Sequence, residues 1–324
     1  MSKVTITGYT IMLRKSGRSK DFRILRQFGE KNNDLYNILF DFLNDRIGNS
    51  KIENVGDDKT IFYDGINKHA INTDTNTDTD SDCIDFTAKI GGYGISYPIL
   101  DHVNGELKYT RSTDDTDAFP LEFTVYMPGI DDTHPGTGFL ISEKYKNKAA
   151  KGLFETHFKK YFSKNYPGYI IEIEPIIPEE FFSFFKNGKI SKTTIKSYSI
   201  PKNIEDRFTS GENTKSKASV EIAMKNQDLK KSIKNLISET LKEKKHVVLH
   251  ELFTGYLIEP EEVSFTGILD GKKTTVILKE EGETMVPAID VTKQVMLSGN
   301  GFPDKQRMID VEIRYLKDLI AKFK

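Results

Sequence analysis

The stretch ISYPILDHVNGELKY, residues 95–109, decides the fold class. At its centre is Asn104-Gly105, the strongest short-range signal for a two-residue hairpin turn, with strand-like runs on either side. The pattern predicts two antiparallel strands over residues 95–100 and 106–109. Asp270-Gly271 is a second tight-turn signal, between residues 265–269 and the strand-like run that follows. Hairpins of this kind join antiparallel strands.

Helices with one apolar face separate the strand-like runs. Residues 149–162 space their leucine and phenylalanine side chains along one helical face, with Lys151 and Lys159 on the opposite face. Pro303 stands at the favoured first position of a last amphipathic helix. Since strands and helices follow one another without a regular βαβ repeat, the sequence predicts an α+β fold. We expect a mixed, mostly antiparallel sheet, amphipathic helices and a C-terminal helix.

The length of the chain, 324 residues, suits one large domain or two ordinary ones. Residues 206–219 are polar and contain glycine, which makes them a candidate boundary. They would separate an N-terminal α+β region, residues 1–210, from a C-terminal α+β region, residues 211–324. One continuous domain is the alternative.

The sequence also indicates a compartment. Cys83 is the single cysteine, so no disulfide can form within the chain, which fits a reducing environment. No run approaches the roughly 18 apolar residues that cross a membrane, and residues 1–11 lack the apolar centre of a signal peptide. We therefore expect a cytoplasmic protein that has no membrane partner.

Charge is distributed unevenly along the chain, although the net charge is only −1. Residues 52–133 hold 17 Asp and Glu against 5 Lys and Arg, and residues 134–245 hold 22 Lys and Arg against 13 Asp and Glu. Seven lysines crowd one loop and helix of the basic part: Lys144, Lys146, Lys148, Lys151, Lys159, Lys160 and Lys164.

Tyrosines are interleaved with the lysines of this basic part, namely Tyr145, Tyr161, Tyr166 and Tyr198. Lysines neutralise phosphates and exposed tyrosines stack on bases, so the pattern predicts a surface that binds nucleic acid. An acidic protein partner is the alternative target. A charged run is also compatible with a plain solvated helix face.

Oxygen-bearing side chains alternate in an acidic stretch that partly matches a calcium-binding loop: Asp74, Asn76, Asp78, Asp80 and Asp85. Thr79 occupies the position at which such a loop turns on glycine, and Asp85 stands where a glutamate is usual. The flanking residues are strand-like, whereas the flanks of this motif are helices. A solvated loop is therefore the favoured interpretation.

Glu172 and Glu174 alternate on a strand-like run, as the magnesium-binding carboxylates of a metal-dependent nuclease do. Such a site also needs a lysine and a further acid, and the sequence does not link any to this pair. The sequence therefore identifies no reaction and no cofactor. Magnesium is expected only under the nuclease hypothesis.

Five short phrases stand in a familiar order: Phe119-Pro120-Leu121 through Pro128, Lys151-Gly152-Leu153-Phe154, Ile177-Pro178-Glu179-Glu180, Tyr198-Ser199-Ile200-Pro201 and Gly301-Phe302-Pro303. In these phrases the chain resembles uncharacterised bacterial proteins that accompany phage-defence or abortive-infection genes. The similarity spans about residues 85–320. It implies a biological setting and carries over no catalytic residue.

Charge and resemblance together favour a non-enzymatic binding or sensor component of a bacterial anti-phage defence system. It would engage nucleic acid or a partner protein through the lysine-rich surface. A metal-dependent nuclease is one alternative. The other is a protein-interaction or toxin-neutralising subunit in a complex with a neighbouring gene product.

Overall fold

The computed structural model of the protein describes residues 3–17, 22–48, 53–54, 59–71, 82–146, 148–197, 220–225, 231–244, 247–248, 261–269, 272–281 and 284–323. The strands of the first part are β1 (Val4–Lys15), β2 (Phe22–Arg23), β3 (Glu53–Asn54), β4 (Lys59–His69), β5 (Cys83–Gly92), β6 (Tyr97–Leu100), β7 (Leu107–Arg111), β8 (Phe119–Tyr126), β9 (Thr137–Tyr145), β10 (Lys148–Ala149) and β11 (Tyr169–Pro175). The later strands are β12 (Lys189–Ser197), β13 (Val220–Lys225), β14 (Val247–Val248), β15 (Glu262–Leu269), β16 (Lys272–Glu281) and β17 (Thr284–Asp290). The helices are α1 (Leu35–Gly48), α2 (Lys151–Asn165), α3 (Glu179–Asn187), α4 (Lys231–Lys244) and α5 (Lys305–Phe323).

The fold class is α+β with mostly antiparallel sheet and a C-terminal helix, which confirms the prediction. The hairpin at Asn104-Gly105 forms as expected, because β6 and β7 pair antiparallel and Gly105 has a φ of +75°. The strands on either side of Asp270-Gly271 also pair, with Leu269 opposite Lys272. None of the described helices combines the length and the apolar character needed to cross a membrane.

The described residues divide into two compact units. Residues 10–173 and 292–323 form one, here named the α2 unit, and residues 3–9 and 174–291 form the other, the α3 unit. Strand β1 begins in the α3 unit and ends in the α2 unit. The segment 206–219, the predicted boundary, lies outside the described residues.

The sheet of the α2 unit runs in the order β1-β9-β8-β5-β4-β3. Alternation along β5 and β8 sends aromatic side chains to one side and polar ones to the other. Phe86 and Phe123 stack with ring centroids 5.0 Å apart, and Phe154 of α2 contacts both rings at 5.3 and 5.6 Å. We call this side the aromatic face. It forms the core beneath α2.

The opposite side of β5 and β8 carries Asp85, Thr87, Glu122 and Thr124. Helix α5 lies against it, since Glu312 of α5 accepts a hydrogen bond of 2.7 Å from Thr124. We call this side the carboxyl face. Both faces are buried, so the sheet is covered on its two sides.

In the α3 unit the strand order is β13-β12-β15-β16-β17. Helices α3 and α4 contribute side chains to one core with these strands: Phe181, Phe184, Phe185, Ile190, Ile195, Ile237, Leu241, Val263, Phe265, Val276 and Leu278. Beside this core Glu262 and Lys279 are cross-strand neighbours, buried and 3.5 Å apart. Lys3 Nζ lies 2.8 Å from the same carboxylate, so the buried charge of Glu262 is compensated.

Candidate functional site

All seven lysines of the predicted surface belong to the α2 unit, on the segment from β9 through β10 to α2. Lys144 is half-buried on β9, and Lys146 and Lys148 are exposed at the turn that joins β9 to β10. Lys146 has a left-handed φ of 55°, which lets the chain reverse within this short turn. The turn therefore presents two ammonium groups to solvent.

Two of the lysines on α2 are engaged within the protein. Glu155 binds Lys151 at 2.7 Å and Lys159 at 2.5 Å, each one helical turn away. Burial acts to raise the pKa of Glu155, but the two ammonium groups outweigh it, so the pKa lies below its ordinary value. The predicted exposed position of Lys151 is wrong: the residue lies in the first turn of the helix and is only 7% exposed.

The last two lysines on α2 face solvent. Lys160 and Lys164 are exposed one helical turn apart, about 6 Å along the axis. No ion pair joins either of them to another described residue. Lys164 also lies in the last turn, where a positive charge suits the helix dipole. Since their charges are not compensated within the described chain, these two are the lysines on α2 that a phosphate can reach.

Of the four tyrosines among the lysines, Tyr198 lies outside the described residues, Tyr145 is buried, and Tyr161 and Tyr166 are partly buried. Tyr145 is buried and donates a hydrogen bond of 2.9 Å to the carbonyl of Gly301. Tyr161 packs against Phe42 with ring centroids 5.0 Å apart, and Tyr166 stacks on Phe162 at 5.1 Å. The prediction that these rings stack on bases is therefore wrong for Tyr145. The other two have their partners within the core.

Of the calcium-loop residues, Asp74, Asn76, Asp78 and Asp80 lie outside the described residues. Asp85 is described, buried on β5. Its Oδ1 lies 3.1 Å from His69 Nδ1, and its Oδ2 accepts a hydrogen bond of 2.8 Å from Asn67. Both oxygens of this carboxylate are thus engaged by neighbouring side chains of the sheet.

The carboxylates of the nuclease hypothesis, Glu172 and Glu174, are half-buried on β11. The Arg14 guanidinium on the neighbouring strand β1 binds Glu172. Within the ranges that the structure describes, no group of three or more His, Cys, Asp or Glu side chains could hold a metal ion. The geometry therefore adds nothing to the nuclease hypothesis.

A second candidate site is the carboxyl face, which we did not predict from the sequence. Thr87 Oγ1 lies 2.9 and 3.1 Å from the two carboxyl oxygens of Glu122, and Lys305 Nζ donates to Thr87 at 2.8 Å. One carboxyl oxygen of Glu143 accepts from the backbone N–H of Glu122 at 2.9 Å. The other oxygens of Glu143 and Glu312 are buried without a described hydrogen-bond partner.

Burial shifts the titration of this face. It raises the pKa of Glu122 to about 7, although Lys305 and Thr87 act against the shift, and it raises the pKa of Glu143 to about 8. Burial also raises the pKa of Glu312 well above its ordinary value, and the nearby carboxyls add to the effect. Near neutral pH the protonated form is therefore favoured for Glu143 and Glu312 more than for Glu122, which lies 3.9 Å from Lys305.

The signal for Glu312 was present in the sequence. The residue lies between Met308 and Leu316 on the apolar stripe of the last helix, where an acid is out of place. Glu122 gave no such signal, because an acid that alternates with apolar residues on a strand ordinarily faces solvent.

No protein-family model matches the chain, and no curated protein sequence matches it significantly. The function is therefore inferred from the two candidate sites themselves. The carboxyl face is covered, and the described residues form no metal-binding set in it. The exposed lysines of the β9–β10 turn and of α2 are open to a macromolecule.

Proposed function

We propose that the protein is a non-enzymatic, cytoplasmic binding component of a bacterial defence system that engages nucleic acid through exposed lysines. The observation that carries the proposal is the exposed, uncompensated pair Lys160 and Lys164, with Lys146 and Lys148 exposed at the preceding turn. The defence setting rests on the short phrases that resemble proteins accompanying phage-defence genes.

The chemistry of these lysines favours the phosphate backbone over the bases as the ligand. An ammonium group is a point charge that neutralises phosphate without reading sequence. Two described tyrosines beside these lysines, Tyr161 and Tyr166, are packed against neighbouring rings. The surface therefore fits binding that varies little with sequence and weakens steeply with salt.

The test is a titration of fluorescently labelled single-stranded and double-stranded DNA and RNA, followed by anisotropy from about 50 mM to about 300 mM NaCl. The decisive variant is the double substitution Lys160→Glu and Lys164→Glu. Losing two phosphate contacts should reduce the magnitude of the slope of log K against log salt by about 1.8 for duplex DNA, with an affinity loss of more than about tenfold at the lowest salt.

The matched control is Lys293→Glu with Lys317→Glu, which changes the net charge by the same amount at exposed positions of the same unit. It should bind much as the wild type does. An equal loss in the control, or no binding by the wild type at the lowest salt, contradicts the proposal. Shortened nucleic-acid products that form only with magnesium would instead support the nuclease hypothesis.

A further inference from the structure

The β6–β7 hairpin is a separate two-stranded sheet. Its register places Tyr97 opposite Arg111 and Leu100 opposite Leu107, and no other described strand pairs with either edge. Two-stranded hairpins are marginal in water without further packing. Free edges also offer backbone groups to a strand from another chain.

Large apolar side chains cluster on this hairpin and on a residue two positions before it. They are 53–81% exposed, namely Ile95, Leu100, Val103, Leu107 and Tyr109. Single exposed apolar side chains are ordinary on a protein surface, but five within one short arm form a patch. A patch of this kind is typical of an interaction surface.

The base of the arm is fixed to the α2 unit by Arg111, which is buried. Its guanidinium donates hydrogen bonds of 2.8 Å to Tyr97 Oη and 2.7 Å to the carbonyl of Asp115, and another to the carbonyl of Gly92. A Cβ on Gly91 would overlap the carbonyl of Asp117, so the loop after β7 packs directly on β5. The arm is thus held in place before any partner binds, which lowers the entropy cost of binding.

The tip of the arm is ordered by its own contacts. Asp101 accepts a hydrogen bond of 2.8 Å from the backbone N–H of Val103 and forms an ion pair of 3.0 Å with Lys108. The only two cations of the arm, Lys108 and Arg111, are therefore both engaged. Among the described ion pairs none involves Glu106 or Asp114, which are exposed.

The charges that remain on the arm and its base, those of Glu106 and Asp114, are acidic, and we call these two residues the acidic rim. Two copies of the arm would repel each other, so charge argues against a second copy of this chain as the occupant. A strand that alternates apolar and basic side chains meets the free edges, the apolar patch and the acidic rim together. We propose that the β6–β7 hairpin is a docking arm that receives such a basic, apolar strand from a partner protein.

The probe is a short, strand-forming peptide of alternating leucine and lysine, labelled with a fluorophore, and its counterpart of alternating leucine and glutamate. Binding to the full-length protein is followed by anisotropy. The wild type should bind the lysine peptide saturably and the glutamate peptide at least about tenfold more weakly, because only the lysines meet the acidic rim. Equal affinity for both peptides, or no binding of the lysine peptide, overturns the proposal.

The variant is Leu100→Ser with Leu107→Ser, a facing pair that is exposed, so the fold should be retained. The matched control is Met296→Ser with Leu297→Ser, exposed by 59% and 44% elsewhere in the same unit. The hairpin variant should bind the lysine peptide about tenfold more weakly and the control should not, with unchanged circular dichroism in both. Equal loss in the control, or a wild-type dimer in sedimentation that the hairpin variant dissociates, shows another surface or a second copy as the occupant and refutes the proposal.

Discussion

The two faces of the sheet in the α2 unit are buried to a similar degree but by different chemistry. On the aromatic face Phe86, Phe123 and Phe154 fill the space with rings that carry no ionisable group. On the carboxyl face the buried groups include Glu143 and Glu312, whose pKa values are raised. Burial alone thus does not tell how a face contributes to stability. The aromatic face contributes through the packing of its rings, whereas the contribution of the carboxyl face depends on whether its carboxyl groups are protonated.

The largest effect should come from the aromatic face. Phe123→Ala removes a ring that stacks on Phe86 and contacts Phe154, and the cavity should lower the free energy of unfolding by about 3–5 kcal/mol at every pH. Urea unfolding at two pH values measures this. The control, Phe22→Ala at a 46% exposed position, should cost less than about 1 kcal/mol. A loss for Phe123→Ala that changes with pH would break the contrast between the faces.

The apolar face of α2, which packs on the aromatic face, follows from a local pattern, and this explains why the sequence predicted it. Phenylalanines at helical spacing required a buried helix face, and α2 forms over nearly the predicted residues, Lys151–Asn165. The Asn104-Gly105 turn likewise acts through its two residues alone, so its hairpin was predictable. The helix and the hairpin can therefore both be predicted without knowing which distant segment packs against them.

The burial of the carboxyl face results from contacts between distant parts of the chain, which a local sequence pattern does not reveal. Thr124 and Glu312 are 188 residues apart in the chain, and only the packing of α5 turns the polar side of β8 into an interior. The prediction that Lys151 is exposed was wrong for a related reason. A lysine at the start of a helix ordinarily faces solvent, and only the tertiary surroundings of α2 make this one buried.

The next effect in size concerns the pH dependence of the carboxyl face. Folded Glu143 holds its proton up to about pH 8, whereas the unfolded chain releases it near the ordinary value of 4.5. Between these values the unfolded state binds fewer protons, so the stability contribution present at low pH is lost as the pH rises. The slope from this group reaches about 1.4 kcal/mol per pH unit.

Glu143→Gln keeps a carbonyl oxygen for the backbone N–H of Glu122 but cannot ionise. The variant should unfold with a flatter pH dependence from about pH 5 to about pH 8, and it should be more stable than the wild type at the upper end. Urea unfolding across this range measures both. Glu106→Gln, at an exposed position, is the control and should leave the profile unchanged. A profile for Glu143→Gln that is as steep as that of the wild type contradicts the assignment.

The smallest effect tests whether the hydrogen bond to Glu312 stabilises the carboxyl face or only compensates for a buried polar group. Thr124→Val removes the donor that lies 2.7 Å from this fully buried carboxyl and should lower the free energy of unfolding by about 1–3 kcal/mol, because an acceptor is left without its partner.

Adding Glu312→Leu to Thr124→Val removes the acceptor that the first substitution leaves without a partner. If the hydrogen bond only offsets the cost of burying the Glu312 carboxyl, the double variant should regain most of the lost stability, since replacing both partners by apolar groups is nearly neutral. If the double variant is instead less stable than Thr124→Val alone, Glu312 itself stabilises the α2 unit. The carboxyl face would then add to the stability of the unit, as the aromatic face does.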